Sequence, residues 1–430
     1  MTNFREKAPQ TKIISSFEVP EFHFSKDKNG FTYFHNYTEN LGVVVMSLWF
    51  PTGRLAQKDA FIAQAAFDLI LSGAKGKSEK EIMKYIDHLG GAITNDVNDW
   101  GSKITIRCSV EHSKNILEWV EDHILNAEYP EQEVLHYIPV KSAGIDRKKQ
   151  TPNYWSHLLA RQALYQNHFL GKSGDIEDVQ ALTRDNIFDF YQSEIKSSGP
   201  MLIVSGDCSD SLFSELLSIH KSFFSNPFPL SNPFVKMEKP TGSFSNGYII
   251  KHALPNSSQV SMVLQSHIDK KEPKLNFQLS LLNIILGGYF GSRLMQELRE
   301  KQGLTYGISS YFKQAFLGKT WTIAGEMNSE NAEIALQKTI EIAEQLRVEL
   351  IPIDELERAK RYYGGMFRQG FDGPFSAASK AQSIFLQDLK PDYYQSALKT
   401  IWETTSEDLL QIAQTHLNEE KFVKVLAGKV

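Results

Sequence analysis

The sequence predicts an α+β protein of two duplicated domains, each a mostly antiparallel sheet with helices packed on one face. Three observations lead there. Amphipathic helical segments alternate with short β-rich runs along the chain. A stretch rich in Pro, Ser, Asn and Gly, residues 226–247, separates two halves of near 200 residues each. The halves also repeat each other: ALTRDNIFDFYQSEIKSSGPMLIVSGD, starting at Ala181, lies over ETTSEDLLQIAQTHLNEEKFVKVLAGK, starting at Glu403, at a constant offset of 222 without a gap. Thr183 and Thr405 fall on the same helix N-cap position, and Gly206 falls on Gly428. Upstream, GSKITIRCSV lies over GKTWTIAGEM at an offset of 217, each strand leading into a long helix. The expected layout is a first domain at 1–225, a linker at 226–247 and a second domain at 248–430.

At 430 residues the chain exceeds what one hydrophobic core usually holds. Hydrophobic content of 41%, charged content of 23% and a net charge of −5 are those of an ordinary globular protein. They give no reason to expect nucleic acid or an anionic membrane as partner. The opening MTNFREKAPQTKII has no apolar segment of signal-peptide length, and no apolar run of membrane-spanning length follows. Cys108 and Cys208 are too few for a disulfide framework or a cysteine-rich zinc site, so a reduced, cytoplasmic protein is expected.

In order, residues 31–36 and 43–50 read as strands, and the second, VVVMSLWF, is apolar enough for an interior strand covered on both faces. Residues 59–72 read as a buried helix with one polar stripe of Gln64, Asp68 and Ser72. A helix at 79–89 stops at Gly90-Gly91. Residues 103–110 alternate, with Ile104, Ile106, Cys108 and Val110 facing inward. Helices are expected at 112–126, 131–149, 154–167 and, capped by Thr183, to 194, with a strand at 200–205.

In the second half an apolar helical run, 279–286, breaks at Gly287-Gly288. A short helix follows with Leu294, Met295 and Leu298 on one face, Gln302-Gly303 ends it, and 304–310 reads as a strand. Arg299 at the helix end and Tyr306 just inside the strand can both donate hydrogen bonds to one carbonyl or oxyanion. On residue types alone the blander reading is a salt-bridged surface helix, Arg299 pairing with Glu297 or Glu300, beside a half-buried Tyr.

The pattern G-G-x-x-G-S-R-L-x-x-x-L-R-E-K-x-G-L-x-Y over residues 287–306 resembles the C-terminal-half signature of the inverted-zinc-motif peptidases, the insulinase, pitrilysin and mitochondrial-processing-peptidase family. The resemblance implies that Arg299 and Tyr306 hold substrate backbone near a zinc ion in another domain. In active members the N-terminal half carries H-x-x-E-H followed by Gly-Thr, with two His as zinc ligands, the Glu as general base and a distal Glu completing the set. Aligned on Gly73-Ala74, the first His falls on Gln64, the Glu on Phe67, the second His on Asp68 and the distal ligand on Gly144. A slip of one residue gives Ala143 or Ile145, which ligate no better. Gln64 and Asp68 alone make a poor zinc site, and Phe67 accepts no proton.

Elsewhere, Glu133 with His136 reads as a solvated helix face, and Asp96, Asn98 and Asp99 as turn chemistry. Gly171-Lys172-Ser173 lacks the context of a phosphate loop, and no Ser/His/Asp or Cys/His constellation is arguable from spacing. The expectation is therefore a chain that is no zinc peptidase on its own and holds no cofactor. It would serve as the non-catalytic subunit of a heterodimeric zinc-dependent peptidase, with the zinc, peptide substrate and H-x-x-E-H motif on a homologous partner subunit. Homodimers are possible when it is isolated. The alternative is a structural or assembly subunit with the same fold and no role in proteolysis.

Overall fold

Strand Val43–Phe50 is buried at every position after Val43, as its almost continuously apolar sequence requires. It is the third strand of a sheet built from β1 (Ser25–Lys26), β2 (Thr32–Tyr37), β3 (Val43–Phe50), β6 (Ala92–Val97), β7 (Ser102–Ser109) and β8 (Met201–Gly206). A separate two-stranded hairpin, β4 (Gly73–Ala74) with β5 (Lys77–Ser78), lies between. The second sheet comprises β9 (Ile249–Ala253), β10 (Gln259–Asp269), β11 (Thr305–Ala315), β12 (Gly318–Asn328) and β13 (Val423–Gly428). The computed structural model describes residues 17–19, 22–226, 249–269, 272–315 and 318–430; apart from Asn226, the expected linker at 226–247 lies outside the described residues.

The two sheets share one topology. Their orders are β1-β2-β8-β3-β7-β6 and β9-β13-β10-β12-β11, so among the described residues β1 is the one strand of the first without a counterpart. Each contains a single parallel pair, β2 with β8 and β9 with β13, among antiparallel neighbours. The repeat extends beyond the aligned segments. Pro130 and Pro352 immediately precede the helices Glu131–Lys149 and Ile353–Gln369. Pro152 and Pro374 lie in the first turns of Pro152–Tyr165 and Gly373–Leu386, where a missing N–H costs nothing. Each pair keeps the 222-residue spacing.

Each sheet packs its own half's helices on one face: Met46, Leu48, Ile104 and Ile106 join one core, and Met262, Leu264, Trp321 and Ile323 the other. The opposite faces are covered by exchange. The Gly373–Leu386 helix of the second half lays Ala378, Ala381 and Ile384 on Trp49, Met201 and Ile203 of the first sheet. The Pro152–Tyr165 helix of the first half lays Ala160, Leu164 and Tyr165 on Val263, Val423 and Val425 of the second. Ser156 and Ser261 exchange a buried hydroxyl hydrogen bond of 2.8 Å in that contact. Fully burying a Leu- or Ile-sized side chain contributes about 1.5–3 kcal/mol, so these reciprocal contacts hold the halves together.

One helix differs from expectation. In place of 59–72 the structure has Ile62–Asp68, beginning after Phe61 in a left-handed conformation, with the Gln57 side chain accepting from the Ala63 N–H. After Asp68 the chain turns into the β4–β5 hairpin, which leaves Ser72 buried outside the helix and off the Gln64–Asp68 stripe. Val110 likewise leaves its strand and enters a single 3₁₀ turn.

Candidate functional site

The Ile62–Asp68 helix carries Gln64, Phe67 and Asp68, the positions on which the resemblance lays the zinc motif. Phe67 is fully buried against Phe50 and contributes only to the core. Asp68 accepts three donors: Gln64 Nε2 at 2.7 Å on Oδ1, Tyr137 Oη at 2.8 Å and Lys141 Nζ at 3.4 Å on Oδ2. Burial, and then the Asp68 carboxylate, push the Tyr137 phenol well above its usual range, so it remains a donor. Tyr137, Lys141 and Gly144 follow one another at i, i+4 and i+7 on the Glu131–Lys149 helix, which brings Gly144 to the same side. A Cβ at Gly144 would meet nothing nearer than Arg147 at 4.0 Å, so the position has room for a side chain but itself offers no ligand.

These residues do not fit zinc. The one carboxylate is already satisfied on both oxygens, and an ammonium group stands beside it as its counter-ion. The network is a closed Gln–Asp–Tyr–Lys cluster with no group placed to activate water. No cluster of three or more His, Cys, Asp or Glu side chains suited to a metal occurs among the described residues. The other sequence candidates are structural: Asn98 Oδ1 accepts from the Trp100 and Gly101 amides, and Asp99 pairs with Arg54 at 2.8 Å.

Arg299 and Tyr306, by contrast, are presented outward. The Pro273–Asn283 helix runs into a π-helical turn, Ile284–Gly288, docked on β11. A Cβ at Gly287 would lie 2.7 Å from Ser310 Cβ, so that approach needs glycine. Asn283 fastens it: its Nδ2 donates to Ser310 O at 3.0 Å, and its Oδ1 accepts from Ser310 Oγ at 2.7 Å and Trp321 Nε1 at 2.8 Å. Arg293 adds a bidentate pair with Glu355, both contacts 2.9 Å.

A second π-helical segment, Met295–Lys301, buries Leu294, Met295 and Leu298 and leaves Arg299 partly exposed. It ends as glycine-capped helices do: Gly303 has φ 60°, its N–H donates to Arg299 O at 3.2 Å, and the Leu304 N–H donates to Leu298 O at 2.8 Å. The strand that follows is bulged between Thr305 and Gly307, which leaves Tyr306 without a cross-strand partner. Tyr306 is 89% exposed, not half-buried as its strand position suggests. Arg299 lies 3.4 Å from Glu300, whereas Glu297 binds Lys301 and Gln302.

The guanidinium carbon of Arg299 sits 5.0 Å from the ring centroids of both Tyr306 and the exposed Phe290. Sequence reasoning missed Phe290, although a bulky aromatic held between Gly288 and Gly291 was a usable signal. The result is a surface group of one cation and two rings. Arg299 keeps its ion pair with Glu300 there, while the Tyr306 phenol stands exposed to solvent.

The α+β fold, with an exchanged helix on each sheet and an Arg–Tyr pair at the surface, is that of a metallopeptidase-like chain. Residues 181–363 match the family model described as Peptidase M16 inactive domain. An uncharacterized zinc protease, YmxG, of Bacillus subtilis is 22% identical over 341 residues, covering 78% of this chain and 81% of that protein. One from Rickettsia bellii is 24% identical over 353 residues, covering 79% and 81%. The crystal structure of a peptidase M16 inactive domain from Pseudomonas fluorescens superposes with a TM-score of 0.85 at 23% identity, over 95% of this chain and 98% of that one. Residues 181–363 thus resemble the M16, or inverted-zinc-motif, peptidase family in its inactive-domain form, the whole chain has the fold of such a structure, and its sequence carries no H-x-x-E-H.

Proposed function

We propose that this chain is the non-catalytic subunit of a heterodimeric zinc-dependent peptidase. Arg299 and Tyr306 would bind the backbone of a peptide held at the zinc of a homologous, H-x-x-E-H-bearing partner. The single observation that supports this reading is the asymmetry between the two sites. The zinc helix is rebuilt into a closed Gln64–Asp68–Tyr137–Lys141 cluster. The Arg299–Tyr306 pair, in contrast, is exposed, and a capped turn and a bulge hold it there. A chain needed only as a scaffold has no physical reason to spend a strand bulge on exposing a tyrosine.

The experiment is reconstitution. This chain is mixed with the H-x-x-E-H homologue encoded in the same genome, and peptide cleavage is compared with that of each chain alone. The reading expects cleavage by the mixture, little by the partner alone and none by this chain. A partner that cleaves at full rate by itself would leave this chain the assembly role.

A further inference from the structure

A cavity of about 170 Å³ lies between the first sheet and the exchanged Gly373–Leu386 helix, away from both sites described above. Its floor is set by register. Thr105 on β7 is flanked by Ser47 and Thr94 on the neighbouring strands, so three hydroxyls form one rung. Two residues to either side on the same strand, and therefore on the same face, stand Lys103 and Arg107.

Neither cation forms an ion pair among the described residues. Lys103 Nζ donates to the neutral Gln382 Oε1 at 3.2 Å, and burial lowers its pKa, with cross-strand Asp96 opposing that shift. Arg107 places its guanidinium over the Phe375 ring at 5.0 Å, and its Nε, shielded from solvent, has no acceptor. A shielded donor without a partner is costly, and the half-buried Lys103 ammonium has only an amide acceptor and the cross-strand Asp96 charge to offset its burial. Their formal charge, reduced by Asp96, leaves one unit positive.

We propose that this cavity binds a single carboxylate, held between Lys103 and Arg107 above the Ser47–Thr105–Thr94 hydroxyls. One net positive charge matches a monoanion better than a phosphate dianion. The Phe375 ring and Val45 at the Arg107 end accommodate the small apolar group that a free carboxylic acid or a peptide C-terminus carries. Because the floor belongs to one half and the roof to the other, the bound carboxylate bridges the halves. The proposal depends on neither a partner subunit nor Arg299.

The test is calorimetric titration of the full chain with acetate, with N-acetyl-dialanine, with the amide of the same dipeptide and with inorganic phosphate. Saturable binding of the dipeptide acid, not of its amide and not more weakly than of phosphate, is expected. Acetate binding as tightly as the dipeptide acid identifies a free small carboxylate as the ligand; tighter binding of the dipeptide identifies a peptide terminus. Lys103→Met and Arg107→Leu each lower affinity by roughly tenfold or more, as loss of a charge-assisted hydrogen bond does. Gln382→Glu, a near-isosteric change facing Lys103, supplies a tethered carboxylate and abolishes binding while the chain stays folded by its urea midpoint. Equal binding of acid and amide, phosphate binding more tightly than the acid, full affinity in Gln382→Glu, or no saturable binding of any probe overturns the proposal.

Discussion

The Arg299 guanidinium lies over the Tyr306 ring at 5.0 Å although the two residues belong to different elements. The left-handed Gly303 reverses the chain within a few residues, and the bulge after Thr305 turns Tyr306 out of the ladder. Thr305 Oγ1 stabilises that bulge by accepting from the Gly307 N–H at 3.1 Å while facing the carbonyls of Gly307 and Glu326. An exposed cation–π contact contributes about 0.5–1 kcal/mol, enough to bias the guanidinium toward one orientation without withdrawing its N–H donors from a ligand.

In the first half the Lys141 ammonium stands beside Asp68, and the aligned ligand positions hold neither imidazole nor a second carboxylate. Purified chain should retain well under one zinc after dialysis. Gln64→His with Asp68→His and Gly144→Glu rebuilds the ligand set but leaves Lys141 in place. Adding Lys141→Ala to that chain should raise zinc affinity by about tenfold or more, since a like charge a few Å from a dication costs several kcal/mol even in a protein-like dielectric. Competition with a chromophoric chelator measures this, and equal affinities would show that the ammonium swings clear.

The reciprocal helices predict how the chain behaves when cut. We propose that residues 226–247 join two domains and are the first site of limited proteolysis. The nicked chain should still elute as one species on gel filtration, because Ala381 and Ile384 remain docked on the first sheet and Leu164 on the second. Separation into half-length fragments would contradict this, as would a first cut inside β3.

Lys319 gives a pH prediction. Burial lowers its pKa from an ordinary 10.5 to about 8, and the Phe312 ring lies 4.2 Å from its ammonium. Between those values the unfolded chain holds a proton that the folded chain has released, so this residue's contribution makes stability rise with pH across the window. Below about 8 the buried charge exerts its full cost. Lys319→Met should therefore stabilise the chain by about 1–3 kcal/mol at neutral pH, and the gain should vanish above 10.5. Urea denaturation at both pH values checks it; an equal gain at both would assign the effect to packing.

Much of the architecture was legible because it is local or repeated. The almost continuously apolar run of β3 announced cover on both faces, and the 222-residue spacing announced two copies. What that cover would be was not legible, since the Gly373–Leu386 helix reaches the first sheet from the other half and no periodicity encodes a destination. The helix expected at 59–72 shortened because Gln57 caps it from outside its own pattern and Phe61 turns left-handed. At the sites, the residues that the resemblance lays on the zinc ligands, Gln64, Asp68 and Gly144, and on the general base, Phe67, could be read from the sequence alone. The contacts of Asp68 with Tyr137 and Lys141 could not, because those side chains approach from another helix. The exposure of Tyr306 depends on a bulge that strand alternation does not reveal.

The most direct test is the rate of peptide cleavage by the assembled pair carrying Arg299→Ala or Tyr306→Phe, with association followed by gel filtration in the same samples. Loss of a preorganised oxyanion-type donor typically costs about 2.7–4 kcal/mol, roughly a hundred- to thousand-fold in rate. A loss approaching that size in either variant, in pairs that assemble like wild type, is the predicted result. Cleavage at the wild-type rate by both variants, fully assembled, would contradict it and leave the pair a surface feature of an assembly subunit.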